Sequence, residues 1–409
     1  MELAVDMAGL GSKRRPGELR RWPSASRACG SVGAEPYATN MGVVRAASTG
    51  AGGEMPSGQV DLPRRQDHPT MSEPTNPSPD RFQLLALDGG GAKALFTAHV
   101  LARLEQDLGV SIRNSFDLIA GTSAGGIVAL ALGAGLTPSE IVEHYEELVT
   151  TVFPAARRRL WRRPRHLSAP IYDGDALRTA LTSVLGGRLL RDSTKRLVIP
   201  AWDVQRGAVH IFKTPHHTRL ARDWRIPMVD IAMATSAAPL YFPAARVDGH
   251  RLIDGGVWAN NPSVVAIAEA VSMLDVPLAS IRVLNVGTID QLTNHPKRLD
   301  RGGLFHWAKP ITPLILNAGS RGGQGIAEHL IGKCAYTRFD ARVPGDLYAL
   351  DSADPSDVAG LAASVSRDLA PVYTERFATH RATEYTPLVG DHRGDPTTTS
   401  TTEVSDEAD

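Results

Sequence analysis

Between Phe82 and Leu132 the chain carries two glycine-rich turns, Asp88-Gly89-Gly90-Gly91 and Gly121-Thr122-Ser123-Ala124-Gly125. Each sits between a short apolar run and a run with helical spacing. A strand, a sharp turn and a helix, repeated at once, bury their apolar faces best as a layered α/β structure in which helices cover a sheet. Phe82 to Leu87 is the first strand, and Leu101, Leu104 and Leu108 mark the helix behind the first turn. Phe116 to Ala120 is the second strand, and Ala124 to Ala134 is a helix of small residues able to pack closely on a sheet.

The alternation continues along the chain. Thr137-Pro138-Ser139-Glu140 is a capping box with proline at the first helical position, which predicts a helix from Pro138 to about Val152. Asp173 is expected to cap a helix ending near Leu185, and Leu197–Asp203 with Val209–Thr214 reads as a strand pair across a turn at Gln205 to Gly207. Helices are expected over Pro227–Ser236 and from Pro262 to about Met273, with a buried strand over Ile281–Gly287. Gly302–Leu330 reads as a mixed, glycine-broken helical region, and Ser356–Thr379 as the last helix. The fold class is α/β, with helices on both faces of a sheet.

Residues 1–80, rich in Gly, Pro, Ser, Ala and Arg without a sustained period, read as a disordered leader. Because Met71 opens a polar run into the first strand, an over-extended start is the alternative. Residues 81–345 are the expected catalytic body, 346–390 a helical extension and 391–409 a disordered tail of Thr, Ser and acid. The 44 basic and 44 acidic side chains balance, so no nucleic-acid binding is expected. Cys29 and Cys334 give neither a disulfide framework nor a zinc spacing. Asp203 and Asp248 read as turn acids and His216-His217 as an exposed loop pair without a third ligand, so no metal site is expected. No run approaches the about 18 apolar residues of a membrane span, no secretory leader is evident, and a cytoplasmic location is the expectation.

Ser123 is the candidate nucleophile. A serine hydroxyl needs a base to take its proton and donors to hold the oxyanion it creates. In a strand-to-helix elbow the serine backbone is strained and neighbouring side chains would clash, which is why Gly121 and Gly125 flank it. Gly89, Gly90 and Gly91 form a loop at a helix mouth, where the N–H groups of Gly90 and Gly91 can cradle an anion and Lys93 can add charge. A phosphate loop is the rival reading, and the absence of a Walker pattern weighs against it. Asp254, in Asp254-Gly255-Gly256 at the end of a short strand, is the candidate base, acting directly on Ser123 if desolvation raises its proton affinity. Otherwise it is an ordinary Asp-Gly turn. A Ser-His-Asp triad using His295, His306 or His329 is the minor alternative.

The blocks DGGGAK, GTSAGG, AWDVQRGAVHIFKT, ATSAAPLYFPA and IDGGVWANNP, in order over about Phe82 to Asp290, resemble the patatin-like phospholipase family. That resemblance implies a three-layer α/β/α fold with a mainly parallel central sheet, and hydrolysis of lipid acyl esters by a Ser-Asp dyad without a cofactor. By position, Ser123 matches the nucleophile, Asp254 the dyad aspartate, and Gly89 to Lys93 the oxyanion loop. Lys93 and Ala94 depart from the arginine and glycine usual there, and lysine keeps the charge but loses the planar fork. The text FDLIAGTSAGGIVALALGAGLTPSEIVEHY is most similar to bacterial members, some of them phospholipase effectors in nucleotide-signalled antiphage defence. A catalytically decayed lipid-binding or scaffold protein is the alternative function. The expected partners are a phospholipid or other acyl-ester lipid and a membrane surface, the latter met by Arg157, Arg158, Arg159, Arg162 and Arg163 around Trp161.

Overall fold

The computed structural model describes residues 81–153, 169–172, 174–220, 222–292, 299–307, 311–344, 351 and 353–388. The expected leader, the C-terminal tail, Asp173, His295 and the Arg157–Arg163 patch lie outside the described residues.

One eight-stranded sheet organises these residues. A central strand, β1 (Phe82–Leu87), is buried along its whole length and runs parallel to β2 (Leu118–Gly121) on one edge and β7 (Ile281–Leu292) on the other. A continuous apolar run of this kind is what a strand covered on both faces requires. The two-residue period divides its side chains between two cores. Leu85 and Leu87 join Phe96 and Leu101 of α1 (Ala94–Leu108) and Val128 of α3 (Ala124–Gly133); between these helices lies the short α2 (Ile112–Ser115). Phe82, Leu84 and Ala86 join Ala266, Ile267 and Ala270 on the opposite face.

The capping box forms as expected and starts α4 (Pro138–Val152), with Thr137 and Glu140 satisfying each other's backbone N–H groups. It is followed by α5 (Asp175–Leu185), β3 (Arg196–Asp203), β4 (Ala208–Lys213), α6 (Met228–Thr235), the β5 (Ala245–Val247) and β6 (His250–Asp254) hairpin, α7 (Gly256–Ala259) and α8 (Ser263–Met273). After β7 come α9 (Leu304–Trp307), α10 (Ile311–Ile331), β8 (Tyr336–Pro344) and α11 (Pro355–Arg376). The order across the sheet is β5-β6-β3-β2-β1-β7-β8, with β4 on β3, so the centre is parallel and one edge antiparallel. This is the mainly parallel sheet with helices on both sides that the sequence implies.

Three expectations are corrected. The Gly302–Leu330 region is not broken by its glycines: α10 runs unbroken for 21 residues through Gly319, Gly322, Gly323 and Gly325. Each interior glycine costs about 1 kcal/mol of helix propensity. Two of them face a neighbour: a Cβ on Gly323 would stand 3.1 Å from the Asn261 carbonyl oxygen and one on Gly319 would stand 3.6 Å from Asn260 Cβ. The buried strand expected to stop at Gly287 continues to Leu292, because β8, which had no expected counterpart, pairs with it past a register shift. The short β5 was also not anticipated. His216 is buried rather than exposed, held between Thr214 Oγ1 at 2.9 Å and Glu269 Oε1 at 3.1 Å.

Candidate active site

The sheet brings Ser123 and Asp254 together through the shared strand β3. Its first half pairs with β2, Ala120 opposite Val198, and its second half pairs with antiparallel β6, Ala201 opposite Asp254. The outer edge is occupied by β4 over Val198–Asp203, so β2 and β6 share the inner edge and point their C-terminal ends at each other. The chain leaving β2 turns at Ser123, and the chain leaving β6 ends on Asp254.

Ser123 has φ 54° and ψ −125°, a conformation that L-residues seldom adopt and that persists only where the surroundings enforce it. The enforcement is visible. Its N–H donates to Thr235 Oγ1 at 2.9 Å, and that hydroxyl donates to the Pro200 carbonyl at 2.6 Å. A Cβ on Gly121 would stand 2.3 Å from the Gly125 carbonyl oxygen, and one on Gly125 would stand 2.4 Å from the Leu87 carbonyl oxygen. Both flanking glycines are therefore steric necessities of a turn packed against β1.

Ser123 Oγ donates to Asp254 Oδ2 at 2.6 Å, and Asp254 Oδ1 accepts the Gly256 N–H at 2.6 Å. Both side chains are buried. Desolvation lifts the Asp254 carboxyl from its ordinary 3.8 to about 6, against the opposing pull of the hydrogen bonds from Ser123 and Gly256. A carboxylate with raised proton affinity and a serine proton in hydrogen-bond reach meet the geometric requirement for general-base activation. No histidine is among the cavity-lining side chains of the described residues. His306 and His329 lie on α9 and α10.

Gly90 and Gly91 border the same cavity, and among the described residues their N–H groups have no hydrogen-bond partner. The loop around them is fixed from several sides. Gly89 donates to the Asn260 carbonyl at 3.0 Å, and the Tyr145 hydroxyl donates to the Gly91 carbonyl at 2.9 Å. Asp88 is buried and accepts from Asn285 Nδ2 at 2.7 Å, Arg338 Nη1 at 2.8 Å and Ser320 Oγ at 3.1 Å. Burial raises its pKa, opposed mainly by the Arg338 charge. Lys93 does not lend its charge to the cavity: its half-buried ammonium donates to the Ile289 carbonyl at 3.0 Å, and desolvation lowers its pKa to about 8. Most of the remaining cavity wall is apolar, with Ile127, Leu148, Phe153, Leu177, Phe242 and Leu316, and Ser236, Tyr241 and Asn260 add polar groups to it.

Asp203 behaves as the expected turn acid, accepting from the Gln205 and Arg206 N–H groups, and it also holds His250 Nδ1 at 2.7 Å. Asp248 occupies the β5–β6 turn with φ 47°. The residues that support the site, Thr235, Tyr145, Asn260, Ser320 and Arg338, were not singled out from sequence. Thr235 and Asn260 lie within matching blocks, whereas Tyr145, Ser320 and Arg338 sit in ordinary helix or strand text.

A family model described as patatin-like phospholipase matches residues 85–267. The chain is 36% identical over 281 residues to a cGAMP-activated phospholipase of Pseudomonas aeruginosa, covering 66% of this chain and 82% of that one. The chain belongs to the patatin-like phospholipase family. Its similarity to the cGAMP-activated phospholipase of Vibrio cholerae is 32% over 336 residues, 74% of this chain and 93% of that protein. Among solved structures, VipD from Legionella pneumophila superposes with a TM-score of 0.39 at 12% identity, covering 73% of this chain and 67% of that one. The patatin-like family is one of lipid ester hydrolases, so the enzyme class expected from the sequence stands.

Proposed function

We propose that this patatin-like phospholipase hydrolyses acyl esters of membrane lipids through a Ser123–Asp254 dyad. The observation that carries the reading is the 2.6 Å hydrogen bond from Ser123 Oγ to a buried carboxylate whose pKa stands near 6. Asp254 takes the Ser123 proton as Oγ attacks the ester carbonyl, and the N–H groups of Gly90 and Gly91 receive the oxyanion. Collapse of the tetrahedral intermediate expels the alcohol, which takes the proton back from Asp254. A water, deprotonated by Asp254, then attacks the acyl-enzyme, and the fatty acid leaves as Ser123 regains its proton. The apolar wall from Ile127 to Leu316 suits an acyl chain.

Replacing Ser123 by Ala and Asp254 by Asn tests the reading on a short nitrophenyl ester. Each variant is expected to abolish turnover, and undiminished turnover in either sinks the dyad.

Two finer statements belong to the same proposal. The names of the Pseudomonas and Vibrio relatives support control by a cyclic dinucleotide, and with it an antiphage effector role. Added cGAMP should then raise ester turnover of the full chain, and a flat response argues against that control. Peripheral membrane docking through Arg157 to Arg163 follows from a substrate that sits in a bilayer. Neutralising those arginines should weaken binding to anionic vesicles while leaving soluble-ester turnover in place; unchanged vesicle affinity rejects the patch.

A further inference from the structure

Ser320, in the middle of α10, is one of the two buried residues of that helix, the other being Ala327. Its hydroxyl donates to Asp88 Oδ2 at 3.1 Å and accepts from Asn260 Nδ2 at 2.8 Å. Asp88 opens the glycine loop that carries Gly90 and Gly91, and Asn260 belongs to the loop that follows Asp254. One hydroxyl therefore bridges the loop that would hold the oxyanion to the loop that carries the base.

The bridge matters because the Asn260 side-chain amide has little else to hold it. Its Oδ1 is buried without a hydrogen-bond partner among the described residues, and its second amide contact, to the Gly89 carbonyl, is long at 3.4 Å. The same Asn260 borders the cavity and accepts the Gly89 N–H on its own carbonyl. Leu316, one turn before Ser320, also borders the cavity, so α10 forms part of the wall and holds the two loops in register. The close packing of Gly319 and Gly323 on Asn260 and Asn261 lets the helix approach near enough for the hydroxyl to reach both.

We propose that Ser320 is a positioning residue for ester hydrolysis: its hydroxyl sets the glycine loop against the Ser123–Asp254 pair and thereby the alignment of the Gly90 and Gly91 N–H groups with the oxyanion. The proposal rests on the dyad reading. A shift of a fraction of an ångström in such donors weakens transition-state contacts more than ground-state ones. The Asp88–Asn285–Asn261 route joins the same loops by a longer path, so removal of Ser320 misaligns the loops without releasing them.

The test uses the full chain with a nitrophenyl ester and an alkyl trifluoromethyl ketone, which adds reversibly to a serine to form an oxyanion. In Ser320→Ala, kcat is expected to fall about 10- to 100-fold with KM changed less than about twofold, and ketone affinity to weaken in parallel with kcat. Ser320→Thr, which keeps the hydroxyl, should recover most of both. If Ser320→Ala fails to fold, Ser320→Cys takes its place with the same expected split. Unchanged kcat and ketone affinity overturn the proposal. Losses in KM and kcat that follow a lowered melting temperature, without weakened ketone binding, also overturn it, because they mark a structural role alone. Turnover that survives Ser123→Ala would instead refute the dyad, which separates the two failures.

Discussion

Ser123 Oγ and Asp254 Oδ2 are 2.6 Å apart although 131 residues separate them in the chain, and β3 is what joins them by pairing with both strands that lead into the site. Because the contact is buried, its ionisation should be readable in the kinetics. With the dyad as base, kcat/KM for a soluble ester is expected to fall about tenfold per pH unit below about 6 and to level off above it. A pH–rate profile checks this. A midpoint at the ordinary carboxylate value removes the desolvated base.

The same carboxyl should cost stability at neutral pH. Its folded pKa is raised, so the stability it contributes is complete below the unfolded pKa of 3.8 and is lost as pH rises through about 6. At about 1.4 kcal/mol per pH unit the difference approaches about 3 kcal/mol. Asp254→Asn is therefore expected to be inactive yet to melt higher than the wild type at pH 8, with a smaller gain at pH 5. Thermal melts at both pH values decide it, and a lower melting temperature at pH 8 contradicts it.

Gly125→Ala should destabilise the chain by at least about 2 kcal/mol, because the new Cβ meets the carbonyl oxygens of Leu87 and Asp88 at 2.4 and 2.5 Å, and backbone must move. Gly187→Ala is the control, with nothing within 4 Å of its Cβ, and should be neutral or slightly stabilising. Urea unfolding of the pair measures the contrast.

Buried Asp88 and half-buried Arg338 form an ion pair at 2.8 Å, and Arg338 also pairs with Asp340. Arg338→Met should cost about 3–5 kcal/mol, since it leaves the buried Asp88 carboxylate without a counter-charge, whereas Asp88→Asn should cost less because Arg338 keeps Asp340. The double replacement should cost less than the sum. Additive losses in a double-mutant cycle would show the two are not coupled.

The sequence made the centre of the fold legible because its signals are local. The alternation at β1 and β2, the capping box at Thr137 and the glycines around Ser123 each reflect constraints carried within a few neighbouring residues. The pairing of Ser123 with Asp254 was legible only through motif order, since the strand that joins them supplies no chemistry of its own. Ser320 and Arg338 were hidden for a related reason: a serine in a helix and an arginine in a strand gain their roles only from what packs opposite. Intrinsic propensity alone predicts a glycine-broken helix at α10, and the close approach to Asn260 and Asn261 that Gly319 and Gly323 permit is not visible in local sequence. The place of Lys93 beside the loop points to the anion site, whereas its long side chain turns to the Ile289 carbonyl.

The most direct test of the dyad is the rate at which an alkyl fluorophosphonate labels the protein, with the adduct located by mass spectrometry. A Ser123–Asp254 dyad predicts a single adduct on Ser123, formed in the wild type and slowed by at least about 10³-fold in Asp254→Asn. An adduct on another residue, or equal labelling of Ser123 in Asp254→Asn, would contradict it.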